Sequence, residues 1–123
     1  LYNWYAVNDS RGLAPAGYHI PNNEEWTILT DYLGGVKVAG EKMKSASGWK
    51  ENGNGTNDSG FSALPGGRLK AVFTSIGSYG FWWSSTETGK KSAFSRFLSD
   101  DDGRAFKSRD GKQSGLSVRC LRD

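Results

Sequence analysis

From residue 81 to residue 123 the chain breaks into short alternating segments separated by glycine and polar turns, which restricts the fold more than any other feature of the sequence. Residues 80–86, 93–99, 104–108 and 116–121 each read as a strand, because side chains alternate between the two faces of an extended backbone. The spacing suits an antiparallel meander.

Upstream the period changes. Residues 2–7 are aromatic and β-branched enough for a first strand, followed by a Gly/Pro loop through residues 9–17. Asn22 then reads as a helix cap with Glu25 three residues on, the spacing of a capping box. Trp26, Leu29 and Leu33 recur at i, i+3 and i+7, so they share one buried face, and Gly34-Gly35 ends the helix. A second helix over residues 37–45 turns Val38, Ala39, Met43 and Ala46 inward and Lys37, Glu41, Lys42 and Lys44 outward. Residues 47–60 are nearly all small and polar around Trp49, a surface loop pinned by one indole. Phe61 and Leu64 are expected to re-enter the core before the turn at Pro65-Gly66-Gly67. Two helices followed by a twisted, mostly antiparallel sheet make an α+β domain.

The chain has 123 residues, room for a single domain over 1–123 with one core. Only 36% of its residues are hydrophobic, yet 13% are aromatic and 17 are glycine, so a few large rings must supply much of the buried area. A formal charge of +3, with acids and bases interspersed, is too small and too little clustered to point to nucleic acid. Cys120 is the one cysteine, which excludes an intrachain disulfide and a cysteine zinc cluster. Between Val118 and Leu121 it reads as a small buried hydrophobe rather than a reactive thiol. No apolar run is long enough to span a membrane, and no signal peptide is seen. The abrupt start at Leu1-Tyr2-Asn3-Trp4 reads as a mature fragment or an excised domain.

Five motifs, in order, carry a resemblance: Leu1-Tyr2-Asn3-Trp4; Gly17-Tyr18-His19-Ile20-Pro21 with Glu25-Trp26; Phe61-Ser62-Ala63-Leu64-Pro65-Gly66-Gly67; Trp82-Trp83-Ser84-Ser85-Thr86-Glu87; and Ser117-Val118-Arg119-Cys120-Leu121-Arg122-Asp123. Together they resemble the Fibrobacter succinogenes major paralogous domain, over nearly the whole chain. That family is similar to the sulfatase-modifying-factor branch of the C-type-lectin-like fold, which the resemblance therefore implies here. Its members resemble pieces of exported surface lipoproteins of Bacteroidetes and Fibrobacteres, and the same fold carries variable domains diversified by retroelements in phages and gut bacteria. The resemblance thus implies an extracytoplasmic place, on a bacterial surface or phage particle.

Catalytic constellations are weak. The enzymatic branch of that fold works through a cysteine pair, and this chain has Cys120 alone. His19, the one histidine, sits in the segment that enters the helix and reads as structural. Glu24-Glu25 are acids of a first helical turn, placed there by the helix dipole rather than as an acid-base pair. Asp100-Asp101-Asp102-Gly103 and the oxygen-rich residues 54–60 lack EF-hand spacing and read as solvated turns. No cofactor is expected, with calcium left open, and the reading is non-enzymatic.

Sorting the last strands by face puts Phe94, Arg96 and Leu98 on one side and Ser95, Phe97 and Ser99 on the other. The latter group continues through Asp101, Asp102, Arg104, Phe106, Ser108, Arg109, Asp110, Gly111 and Ser114, a mixture without core logic. These positions look like those that retroelement-diversified relatives vary. Phe97 and Phe106, ringed by charge, would be anchors for a protein or glycan ligand. The alternative is a structural domain of a surface lipoprotein or pilus-like assembly. Of Trp82 and Trp83, opposite-facing neighbours, one is expected in the core and the other partly exposed over a glycine-rich loop.

Overall fold

The computed structural model describes residues 1–123. Three helices, α1 (Trp4–Val7), α2 (Asn23–Tyr32) and α3 (Val36–Met43), accompany seven strands. β1 (Tyr18–His19) pairs with β7 (Leu121–Arg122), while β2 (Gly66–Leu69), β3 (Phe73–Ile76), β4 (Tyr79–Glu87), β5 (Ser92–Ser99) and β6 (Asp102–Gly111) form one sheet in the order β3-β2-β4-β5-β6. All pairs are antiparallel except β2 with β4, which run parallel at Gly67 and Gly80. The architecture is α+β, with three helices rather than the two expected.

Local chemistry explains the elements that match. The Asn22 side chain accepts from the Glu25 amide, and the Glu25 carboxylate accepts from the Asn22 amide, so two first-turn donors are satisfied reciprocally. Trp26 and Leu33 are buried and Leu29 packs beside them. The meander of β4, β5 and β6 keeps a register in which Phe81, Phe97 and Phe106 lie directly across from one another.

Four expectations change. Residues 2–7 do not form a strand: Asn3 caps α1 by accepting from the Ala6 amide, and Trp4 and Val7, three apart, bury on one helical side. Residues 116–121 do not form a strand either, because the segment changes partner almost residue by residue. Leu116 bridges Tyr2, Ser117 bridges Trp82, and only Leu121 and Arg122 pair with β1. Leu116 is fully buried, but Val118 and Cys120 are half-buried, so Cys120 is not a core residue. On α3, Ala39 and Met43 are buried while Val38 and Ala46 are exposed; Leu64 also faces solvent and Phe61 is half-buried.

Trp82 and Trp83 correct the fourth expectation. Both are buried, because the sheet has a core on each side. Trp83 joins Trp4, Val7, Ile20, Phe81, Ala93 and Leu116 beneath α1, and its indole N–H donates to the Tyr2 carbonyl at 2.8 Å. Trp82 joins Trp26, Leu33, Ala39, Met43, Trp49 and Leu98 beneath α2 and α3. The loop of residues 47–60 is pinned as expected, with the Trp49 indole N–H donating to the Ala63 carbonyl.

Close contact between α3 and β6 depends on Gly40, where a Cβ would collide with the Arg104 carbonyl. Gly40→Ala gains about 1 kcal/mol of helix propensity, yet overpacking against a backbone carbonyl costs ~1–3 kcal/mol. Urea denaturation is therefore expected to show net destabilisation, whereas Gly103→Ala, whose Cβ would meet only the Glu41 side chain at ordinary contact distance, leaves the midpoint near that of the parent.

Candidate functional site

The register of the central strands builds a row of rings across one sheet face. Phe81 on β4, Phe97 on β5 and Phe106 on β6 follow one another at centroid separations of 5.6 and 4.5 Å, the last pair stacked at 8°. Tyr79 stacks on Phe81 at 5.7 Å. A guanidinium closes each end: Arg68 of β2 lies 4.6 Å from the Phe81 centroid and Arg104 lies 4.9 Å from that of Phe106. Phe81 is buried, while Tyr79, Phe97 and Phe106 are half-buried and Arg104 is exposed. Rings stacked in this way hold their rotamers without a ligand, so the row is preorganised for contact.

Arg104 is itself held. Its Nε–H donates to both Asp102 oxygens at 3.1 Å and an Nη–H to one of them at 2.7 Å, and its amide donates to the same carboxylate. Those bonds favour the ionised acid and draw the Asp102 carboxyl down to about 2.

The structure divides the residues singled out from the sequence. Phe97, Arg104, Phe106 and Ser108 come together on the ladder face, with Asp101 and Asp102 at its end in the β5–β6 turn. Ser95, Ser99, Asp110 and Ser114 share this side of the molecule but are buried rather than displayed. Asp110 accepts from the Ser95 hydroxyl at 2.7 Å and faces Arg68 and Lys70 at 3.4 and 3.5 Å, so it binds β2, β5 and β6 together. Ser99 donates its hydroxyl to Asp101. Arg109 pairs across the strands with Phe94 and therefore lies on the opposite face, beside Lys107, and Gly111 ends β6 at the far turn. Arg68, Tyr79 and Phe81 were missed; strand parity in residues 79–87 is the signal that would have found the last two.

The acidic turn has an internal cation. Lys44, expected outside, is 2% exposed, and its ammonium donates to the Ser99 and Asp102 carbonyls at 3.1 and 3.2 Å. The second oxygen-rich loop approaches it, for Gly55 lies against Lys44, and Gly53 just before the loop lies against Asp100, where in each case a Cβ would not fit. No three acidic, His or Cys side chains are grouped to hold a metal ion.

His19 bridges two carboxylates, Nδ1 to Asp123 at 2.6 Å and Nε2 to Glu25 at 2.8 Å, which ties β7 to α2. The hydrogen bonds from Asp123 and then Glu25 raise its pKa, and the Asn22 amide lowers that of Glu25. Both ring nitrogens are engaged, so the imidazole ties the two carboxylates together.

A family model, the Fibrobacter succinogenes major domain, matches residues 1–122. The chain belongs to this family. No curated protein and no solved structure matches it. In this Fibrobacter succinogenes major domain the matched residues take in both cores, the ladder and the His19–Glu25 half of the clasp, with Asp123 one residue beyond the match.

Two predictions follow from the buried cation and the clasp. Lys44→Met leaves two buried carbonyls without a donor and is expected to cost about 1–3 kcal/mol in urea denaturation. The stabilisation from protonated His19 is complete below its unfolded value of about 6.5 and is lost as pH rises through the higher folded value. The Glu25 contribution has the opposite sign, present above about 4.3 and lost as pH falls through its lower folded value. The pair is therefore expected to be strongest between those limits, and in His19→Gln the loss of stability on raising the pH above 6.5 should be smaller than in the parent, as thermal melts across that range would show.

Proposed function

We propose that this domain is a non-catalytic recognition module of C-type-lectin-like character that grips a protein or glycan through its ladder face. The observation that carries the reading is the preorganised Phe97–Phe106 stack, half-buried and bracketed by Arg68 and Arg104. Aromatic and arginine anchors supported by their own scaffold are the residues on which binding energy concentrates. The occupied His19 ring favours binding over proton-transfer chemistry. An extracytoplasmic place and diversification by a retroelement belong to the same proposal. Burial and strand face narrow the positions free to vary to Phe97, Asp101, Asp102, Arg104, Phe106 and Ser108, because Ser95, Ser99, Asp110 and Ser114 hold the scaffold and Arg109 lies on the other face. A reverse-transcriptase gene beside a near-copy of the codons for these strands would support diversification.

One observation favours a second reading, a structural domain packed against neighbours. The β2–β3 hairpin at the sheet edge exposes Leu69, Val72, Phe73 and Ile76, more apolar side chain than a free hairpin needs.

Glycan arrays and host-cell binding would supply the ligand. Against it, Arg104→Ala and Phe106→Ala are each expected to weaken binding by about ten-fold or more, the range of interface anchors. Arg109→Ala, on the other face, should leave binding unchanged. Loss on Phe73→Ser with no effect at Arg104 or Phe106 would favour the packing reading instead.

A further inference from the structure

Arg96 is 4% exposed, and no acid pairs with it. Its guanidinium donates to the Ser95 carbonyl and to the carbonyl and side-chain oxygen of Asn23, so neutral oxygens meet its hydrogen bonds while its charge is left unmatched. Burial draws its pKa down to about 10, which still leaves a cation at neutral pH. The register sets Lys107 directly across from Arg96, and Arg109 directly across from Phe94. Lys107 and Arg109 are exposed, the Lys107 ammonium lies 4.5 Å from the Phe94 centroid, and neither makes an ion pair. Like charges directly opposite each other on adjacent strands destabilise a sheet, and a buried charge is ordinarily matched by a counter-charge. Here three neighbouring cations share one face, and neither strand sets an acid beside them.

The strand that carries two of these cations is also an open edge. β6 ends the sheet, and residues 106–110 make no main-chain hydrogen bond outside the ladder with β5. Its outward amides and carbonyls can therefore take one further strand. A second copy of β6 would bring the same cations to the new pair, and β3, the other edge of the sheet, has no acid between Phe73 and Ile76. An extended segment with acids at alternate positions has the matching geometry, because alternate side chains of a strand recur on one face about 7 Å apart, the spacing of Lys107 and Arg109 themselves. A sulfated glycan could meet the charge but could not continue the main-chain ladder. We infer that the outer edge of β6 captures an extended acidic segment of another protein, with alternate carboxylates beside Lys107 and Arg109. Those carboxylates fall on the face opposite Phe106, so the site is distinct from the ladder and does not depend on what the ladder binds.

The test is an NMR titration of ¹⁵N-labelled protein with short threonine-rich peptides. One carries two glutamates two positions apart, an isomer carries them side by side, and a third has lysines in place of the spaced glutamates. Adjacent strand residues point to opposite faces, so the isomer can set one glutamate at most beside the cations. The spaced peptide is expected to saturate shifts of the amides in residues 106–110, to slow hydrogen exchange of those facing outward, and to bind about three-fold or more tightly than the isomer, as one more opposite-charge cross-strand pair would. Lysines in place of the glutamates should abolish binding. Lys107→Gln and Arg109→Gln should each weaken the spaced peptide by about three-fold, while Arg122→Gln, the same charge change on β7, should bind like the parent. Amides in 106–110 unmoved at millimolar spaced peptide, equal affinity for the two isomers, or equal losses in the Lys107, Arg109 and Arg122 variants would each overturn the inference. So would dextran sulfate binding this face more tightly than the spaced peptide with exchange along β6 unchanged, which would assign the face to polyanionic glycans.

Discussion

Two adjacent tryptophans on one strand cannot bury on the same side of a sheet, and in this chain both are buried. Trp82 and Trp83 therefore require that β4 be covered on both faces. Much of the remaining architecture follows from meeting that requirement with few aliphatic residues. The helices α2 and α3 and the Trp49 loop close over Trp82. The short N-terminal helix and Leu116 close over Trp83, joined by reciprocal bonds in which the Trp83 indole donates to Tyr2 and the Trp4 indole donates to Ser84. Segments near both ends of the chain enter the second core through Trp4 and Leu116, and the last segment zigzags between partners instead of forming a strand of its own.

A sheet packed on both sides has little free face left, and this limits which side chains it can present to solvent. The Trp83 face is covered at the α1 end and opens toward Phe97 and Phe106, where the aromatic row continues outward from the core. The half-buried rings are thus the outer part of the same stack that stabilises the sheet. Buried polar contacts support it from beneath: Asp110 with Ser95, Arg68 and Lys70 under one end, and Lys44 with the Ser99 and Asp102 carbonyls under the other. Charged groups this enclosed are costly unless their partners are in place, so they fix geometry as well as contribute stability.

The sequence was most legible where a local rule and the tertiary packing agree. The Asn22–Glu25 box and the Trp26 and Leu33 spacing marked α2, and alternation marked β4, β5 and β6. It misled where a distant contact overrode the local pattern. Residues 2–7 carry strand formers, but Trp4, whose indole donates to the distant Ser84 carbonyl, buries with Val7 on one side of a helix instead. Lys44 looked like a solvated helix-end lysine because nothing nearby in sequence shows that the carbonyls of residues 99 and 102 fold over it. Parity placed Phe97 and Phe106 correctly together and, carried past residue 108, would have put Arg109 on the other face; it could not show that Ser95 and Asp110 on the ladder side are covered.

The claim at the centre of this account is that the open end of the aromatic row is where a partner sits. Chemical-shift mapping tests it most directly: protein labelled with ¹³C in its aromatic rings and ¹⁵N in its backbone, titrated with the highest-scoring glycan from an array. The account predicts that the largest perturbations fall on the rings of Tyr79, Phe97 and Phe106 and the amides around Arg104. Perturbations confined to the β2–β3 hairpin, with those rings unmoved, would contradict it.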